Sequence, residues 1–192
     1  IDVGSTKKAI CQAMAALPPH VQPVGGHPMC GKESSGLTMA EPGLYQDKVF
    51  VLVPLERTAP AALEMAHSLV RAIGARALLL EPERHDRLVA AISHLPYLLA
   101  VSLVNAAEAL SDGDPLLWQL AASGFRDTSR VAAGDLRMML DILMTNRRAI
   151  LDALYEAKTQ LALLTDHLER NDIDGLAAAL QAARNRRLEM FS

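Results

Sequence analysis

The run Lys48-Val-Phe-Val-Leu-Val-Pro-Leu55 constrains the fold more than any other segment. No side chain between Lys48 and Pro54 is polar, and alternate residues of a strand point to opposite faces. Such a run reads as a strand buried on both sides, which needs a layer above and a layer below. Its neighbours supply the rest of an α/β pattern. Ile1 to Gly4 reads as a strand end entering a turn. Lys7 to Leu17 places Ile10, Met14 and Leu17 on one side of a helix that Ser5 or Thr6 can cap and Pro18-Pro19 ends. Val21 to Gly26 is a strand candidate, and Met29 to Tyr45, rich in Gly, Ser and Glu, is a loop. Thr58 can cap a helix running to Ile73, which Gly74 closes, and Ala77 to Leu80 is a further short strand. The order β-α-β-β-α-β is that of half an open α/β sheet.

From His85 onward strand signals stop, which places a boundary near residues 82–86 and divides the chain into 1–83 and 84–192. The expected class is α/β followed by all-α. His85 to Leu110 reads as one apolar helix with Pro96 as a point of interruption, Pro115 to Ala122 as a short helix, and Asp135 to Asn171 as a very long amphipathic one. A last helix starts at Asp174. This half carries more apolar helix surface than a single layer hides, so a homodimer through the helical part is expected ahead of a compact monomeric bundle.

Composition excludes several classes. Hydrophobic residues make up 51% and the net charge is −3, which fits a folded domain and offers no basic face for nucleic acid. Two cysteines do not make a disulfide framework and fit reduced thiols. No apolar run reads as long enough to span a bilayer and no basic-then-apolar leader opens the chain, so the cytoplasm is the expected location and no membrane partner is expected. The first residue is Ile1, and a strand there needs an earlier partner. The sequence therefore reads as a fragment, a processed product or a piece cut within a domain.

Three residues stand out chemically. His27 follows Gly25-Gly26 at a strand end, where α/β sheets collect ligands, and its ordinary pKa of about 6.5 suits acid–base work; a structural histidine bonded to loop backbone is the other reading. Ser5 is either an ordinary helix cap or a hydroxyl at a positive helix end that suits an anion. Arg130 ends the polar insert Gly124-Phe-Arg-Asp-Thr-Ser-Arg130, where a guanidinium can hold a bound carboxylate or pair with Asp127. His94, on an apolar helix, fits a satisfied core residue. His85-Asp86 sits at a helix start, where Asp86 can cap. Histidines 20, 67 and 167 read as surface, and no pair has metal-ligand spacing.

Five segments in this order resemble the prephenate dehydrogenase family: Asp2-Val-Gly-Ser-Thr-Lys7, Gly25-Gly-His-Pro-Met-Cys-Gly31, His85-Asp86, Ser93-His-Leu-Pro96 and Gly124 to Arg130. The family often has Trp where this chain has Met139, and its G-x-G-x-x-G loop is not in this sequence. The resemblance implies the second half of a Rossmann-like nucleotide-binding domain followed by a helical substrate-binding and dimerisation domain. It implies oxidative decarboxylation of prephenate or arogenate with hydride transfer to NAD or NADP. In that reading His27 takes the hydroxyl proton, Ser5 positions the reacting groups, and Gly4 and Ser5 lie on the cofactor side. Arg130 holds a substrate carboxylate, and His94, Ser93, Ser123 and Gly124 line the substrate side. Glu33 and Asp127 would face Arg130, and the wording around Arg130 is closest to arogenate-using or dual-substrate members. Without the glycine-rich loop, the fragment alone is expected to be inactive and to bind dinucleotide poorly. Two alternatives remain: a catalytically silent helical dimerisation fragment, and a β-hydroxy-acid dehydrogenase of similar architecture. The latter relies on a helical-domain lysine, and none stands in the apolar helices before Lys158. About 90 upstream residues holding a strand and a glycine-rich turn would decide.

Overall fold

A computed structural model describes residues 1–31, 36, 38 and 40–190; Glu33 lies outside the described residues. The chain divides into two compact units, Ile1–Ile150 and Leu151–Ser192.

The sheet of the first unit has the order β1-β2-β3, with β1 Val24–Pro28, β2 Val49–Pro54 and β3 Arg76–Leu79. Burial on two faces puts β2 at the centre. Val49, Val51 and Val53 enter a cluster with Cys11 and Ile10 of helix α1 (Lys8–Ala15), while Phe50 and Leu52 pack with Ala66 and Val70 of α2 (Pro60–Ala72). The sheet is mixed: β1 runs antiparallel to β2, with His27 opposite Val51, and β3 runs parallel to it.

Three local expectations are corrected. Residues 1–3 form no strand; Asp2 instead lies against β1. There is no room for a side chain between them, since a Cβ on Gly26 would lie 2.4 Å from the Asp2 carbonyl oxygen, and one on Gly25 would lie 2.8 Å from Cys11 Sγ. Glycine at both positions is thus a close-approach requirement. Thr58 does not cap α2, whose cap position is Ala59; its Oγ1 accepts from the Leu55 amide at 2.8 Å and donates to the Pro23 carbonyl at 2.6 Å. Neither Ser5 nor Thr6 caps α1. Asp86, distant in sequence, does so, accepting from the Lys7 amide at 2.7 Å and the Lys8 amide at 2.9 Å.

The helices that follow are more broken than their periodicity suggests. Helix α3 (Pro82–Val89) passes through a π-turn at Ala90–His94 into α4 (Leu95–Ser111). Pro96, which lacks an N–H, stands just after that turn, so the interruption near it is real and is a π-turn. The combined Pro82–Ser111 helix is long and apolar enough to cross a membrane by length and composition, so the expectation of no such run does not hold. Helices α5 (Leu116–Leu120) and α6 (Ser123–Ser129) follow, and the segment read as a polar insert is therefore largely helical, passing into a 3₁₀ turn at Arg130–Ala133. Asp135 caps α7 (Leu136–Thr145) through the Met138 amide. The predicted helix from 135 to 171 breaks at Asn146, whose side chain is used elsewhere, before α8 (Arg147–Glu169). In the second unit, Asn171 takes a left-handed φ of 53° after α8, and α9 spans Ile173–Met190.

Candidate active site

The site grows from the turn before α1. Asp2 accepts from the Gly4 amide and from the Gly26 amide, each at 2.8 Å. Lys7, fully buried, reaches from the start of α1 and donates its Nζ to the Asp2 carboxylate and to the Gly26 carbonyl. These bonds fix the backbone of β1 one residue before His27.

His27 does not face solvent alone. Its Nδ1 lies 2.8 Å from Nε2 of His85, and the two rings meet edge-on with centroids 5.0 Å apart. His85, fully buried on α3, places its own Nδ1 2.8 Å from Asp86 Oδ1. Asn146 donates from Nδ2 to the Asp86 carbonyl at 2.7 Å and lies 3.2 Å from Nδ1 of His94. The sequence-predicted pair His27 and His94 is thus joined through His85, Asp86 and Asn146. The sequence marks His85-Asp86 as a helix start and as one of the family's segments, with no link to His27, and leaves Asn146 unmarked. The available signals were a His–Asp pair on the face that continues through Val89 and Ala90 into the core, and an Asn on the helical face that otherwise carries Met139, Ile142 and Ile150.

The remaining candidates are spread out. Ser93 lines a cavity of about 300 Å³ with Gly31, Tyr97, Val131, Gly134 and Met138. Gly4 and Ser5 border a separate cavity of about 480 Å³ with Thr6, Asp135, Arg137 and Asp141. Ser123, Gly124 and Arg130 lie exposed on α6 and at its end. Asp127 pairs with Arg126 at 3.1 Å. The expected anion site at the start of α1 is not open, because Asp86 already occupies its first amides. Among the described residues no cluster of His, Cys, Asp or Glu could hold a metal, and both cysteines are free.

Electrostatics favour an uncharged imidazole. Burial, then the neighbouring His85 and Lys7, push His27 down from 6.5 to about 4. Burial does the same to His94, also to about 4. Burial pushes Asp86 upward, but hydrogen bonds from His85 and the Lys8 and Lys7 amides outweigh it and hold the carboxyl below its ordinary value. A consequence for stability follows. Between pH 6.5 and about 4 the unfolded chain binds protons at these two histidines that the folded chain refuses, so stability rises with pH across that window. Urea titrations at pH 7 and pH 5 should differ by about 2–4 kcal/mol in favour of pH 7, and His94→Gln should narrow the gap. Equal stability at both pH values would contradict the burial of these rings.

The family model of the prephenate dehydrogenase nucleotide-binding domain matches residues 1–79, and that of the prephenate dehydrogenase dimerization domain matches 81–182. The chain belongs to the prephenate dehydrogenase family. Within that family it is 35% identical over 187 residues to the prephenate dehydrogenase of Bacillus subtilis strain 168, covering 97% of this chain and 50% of the relative. The arogenate dehydrogenase of Synechocystis superposes with a TM-score of 0.86 at 34% identity, over 98% of this chain and 68% of that one. The prephenate dehydrogenase of Aquifex aeolicus, solved with hydroxyphenyl propionate and NAD+, superposes with a TM-score of 0.91 at 28% identity, over 98% and 66%. The chain spans about half the length of the Bacillus subtilis relative. The α/β-then-helical class expected for the family is the one observed.

Proposed function

We propose that this chain serves the oxidative decarboxylation of prephenate or arogenate, with His27 as the proton acceptor. The observation that carries the reading is His27 at the end of β1, held uncharged and, among the described residues, hydrogen-bonded to another side chain through Nδ1 alone. A neutral imidazole can take the substrate hydroxyl proton as the carbinol carbon gives up hydride. Loss of the ring carboxylate as carbon dioxide then sends its electron pair into the ring, leaving a phenolate to which His27 can return the proton. NAD or NADP, when bound, supplies the hydride acceptor. The cavity edged by Gly4 and Ser5, with Asp135, Arg137 and Asp141 on its rim, is the proposed place for the nicotinamide end of such a molecule. The domain reading is residues 1–83 for the nucleotide side and 84–192 for the substrate and dimer side. Ser5 positions the reacting groups, and Ser93 and His94 line the substrate side. The direct test is reduction of NAD and of NADP by the enzyme made from the complete gene, with prephenate and with arogenate. No reduction with either substrate would refute the reading.

Arg130, with Ser123 and Gly124 beside it, is the proposed carboxylate anchor. Arg130→Ala removes a charge-assisted contact of about 1.5–3 kcal/mol, so the Michaelis constant should rise about 10- to 150-fold. A fall in turnover at constant Michaelis constant would assign Arg130 another role.

The helical part is read as a homodimer interface in the cytoplasm. Leu110, Leu120, Leu136 and Met144 are 68–81% exposed, and a second copy is the cover that a dimerization-domain match supports. Sedimentation should give about twice 20.7 kDa for the 192-residue chain; a concentration-independent monomer would refute the dimer.

A further inference from the structure

The distances around Asp86 determine more than proximity, because each bond restricts which nitrogen carries a hydrogen. Asp86, an ionised carboxylate that already accepts two backbone amides, can only accept. His85 Nδ1, 2.8 Å from its Oδ1, must therefore bear the hydrogen. In a neutral ring the other nitrogen, Nε2, then has only a lone pair to offer. His27 Nδ1, 2.8 Å from that Nε2, must donate to it. The proton of neutral His27 is thereby held on Nδ1, and Nε2 is left bare. This is the reverse of the tautomer that a solvated histidine side chain prefers.

The main chain of the same residue acts on the second histidine. The Asp86 carbonyl accepts from Asn146 Nδ2 at 2.7 Å, which fixes the orientation of that amide. The second hydrogen on Nδ2 is directed at His94 Nδ1, 3.2 Å away. His94 Nδ1 is then an acceptor, and its proton resides on Nε2. The charged and titratable groups around this network are the Lys7–Asp2 pair at the start of α1, Asp86 and His85 on α3, and His94 on the π-turn.

We propose that Asp86 is a positioning residue that sets the tautomers of His27 and His94 in opposite senses, its carboxylate acting through His85 and its carbonyl through Asn146. His27 is left with an acceptor at Nε2 and His94 with a donor there. The arrangement at His27 matches a substrate that must lose a hydroxyl proton to a neutral imidazole, while His94, 1% exposed, is held as a buried donor. The catalytic meaning rests on the reading of His27 as base, whereas the tautomers themselves do not.

The test uses the enzyme made from the complete gene, labelled with ¹⁵N in its histidine rings, and reads two-bond nitrogen–proton correlations near pH 7.5. Wild type should show His27 and His85 protonated on Nδ1 and His94 on Nε2. His85→Phe removes the acceptor, so His27 should move toward the Nε2–H form. Turnover should fall at least ~10-fold, toward the ~10⁴ that a wrongly held imidazole costs in triad hydrolases, with the Michaelis constant little changed. His85→Gln, which keeps an acceptor, should recover part of both signals. The wild-type spectrum needs no variant to fold. A doubly protonated His85, His27 on Nε2–H or His94 on Nδ1–H in wild type would overturn the proposal, as would an unchanged His27 tautomer in His85→Phe. If the tautomer moves while turnover stays constant, the role of Asp86 in holding it stands and His27 is not the base.

Discussion

Replacing His27 with Asn should lower turnover by about 10²–10⁴-fold, the usual contribution of general-base catalysis, while changing substrate binding far less. Asn retains a polar group at the end of β1 but cannot take the proton. Ser5 is too weak a base unaided, and Arg130 is charged throughout. Lys7 is committed to Asp2 and Gly26. His94 is fully buried against Asn146 and, with Nδ1 engaged there, would have to give up its Nε2 proton before accepting one. The unshifted value of about 6.5 expected from sequence is not the one to look for. Burial lowers His27 to about 4, so the acid limb of kcat/KM that belongs to it should lie near pH 4, activity falling as pH drops through that value. The limb should be absent in the variant. Near-normal turnover in His27→Asn, or an acid limb that survives it, would move the base to His94.

Lys7→Met should cost about 3–5 kcal/mol of stability, the range for breaking one side of a buried ion pair. The Nζ is fully buried, and the Asp2 side chain that it neutralises is 18% exposed. Without it the Asp2 carboxylate keeps only its two amide donors, and the Gly26 carbonyl loses a partner just before His27. Chemical unfolding at pH 7.5 reads the loss. The double variant Asp2→Leu/Lys7→Met should recover part of it, because no uncompensated charge then remains. A single-variant loss below about 1 kcal/mol would show the pair to be solvated, contrary to the geometry.

What the sequence determined is what depends on neighbours along the chain. Alternation on β2 carried two-sided burial because the pleat repeats every two residues. Apolar periodicity carried the helices, and the loss of strand signals carried the change of class. Motif order carried the family. Long-range pairing was left to the tertiary structure. Ser5 and Thr6 are the residue types that cap helices, yet α1 is capped by Asp86, 79 positions from Lys7, because the fold brings an ionised carboxylate to those amides. Likewise, the break at Asn146 is invisible to periodicity, since the residues on either side keep helical spacing. At that break the Asn146 side chain joins Asp86 to His94. His27 was legible as a histidine at a strand end. Its lowered pKa and its link to His85 were not, because both depend on burial and on a partner from another element, and those exist only once the sheet and α3 have packed together.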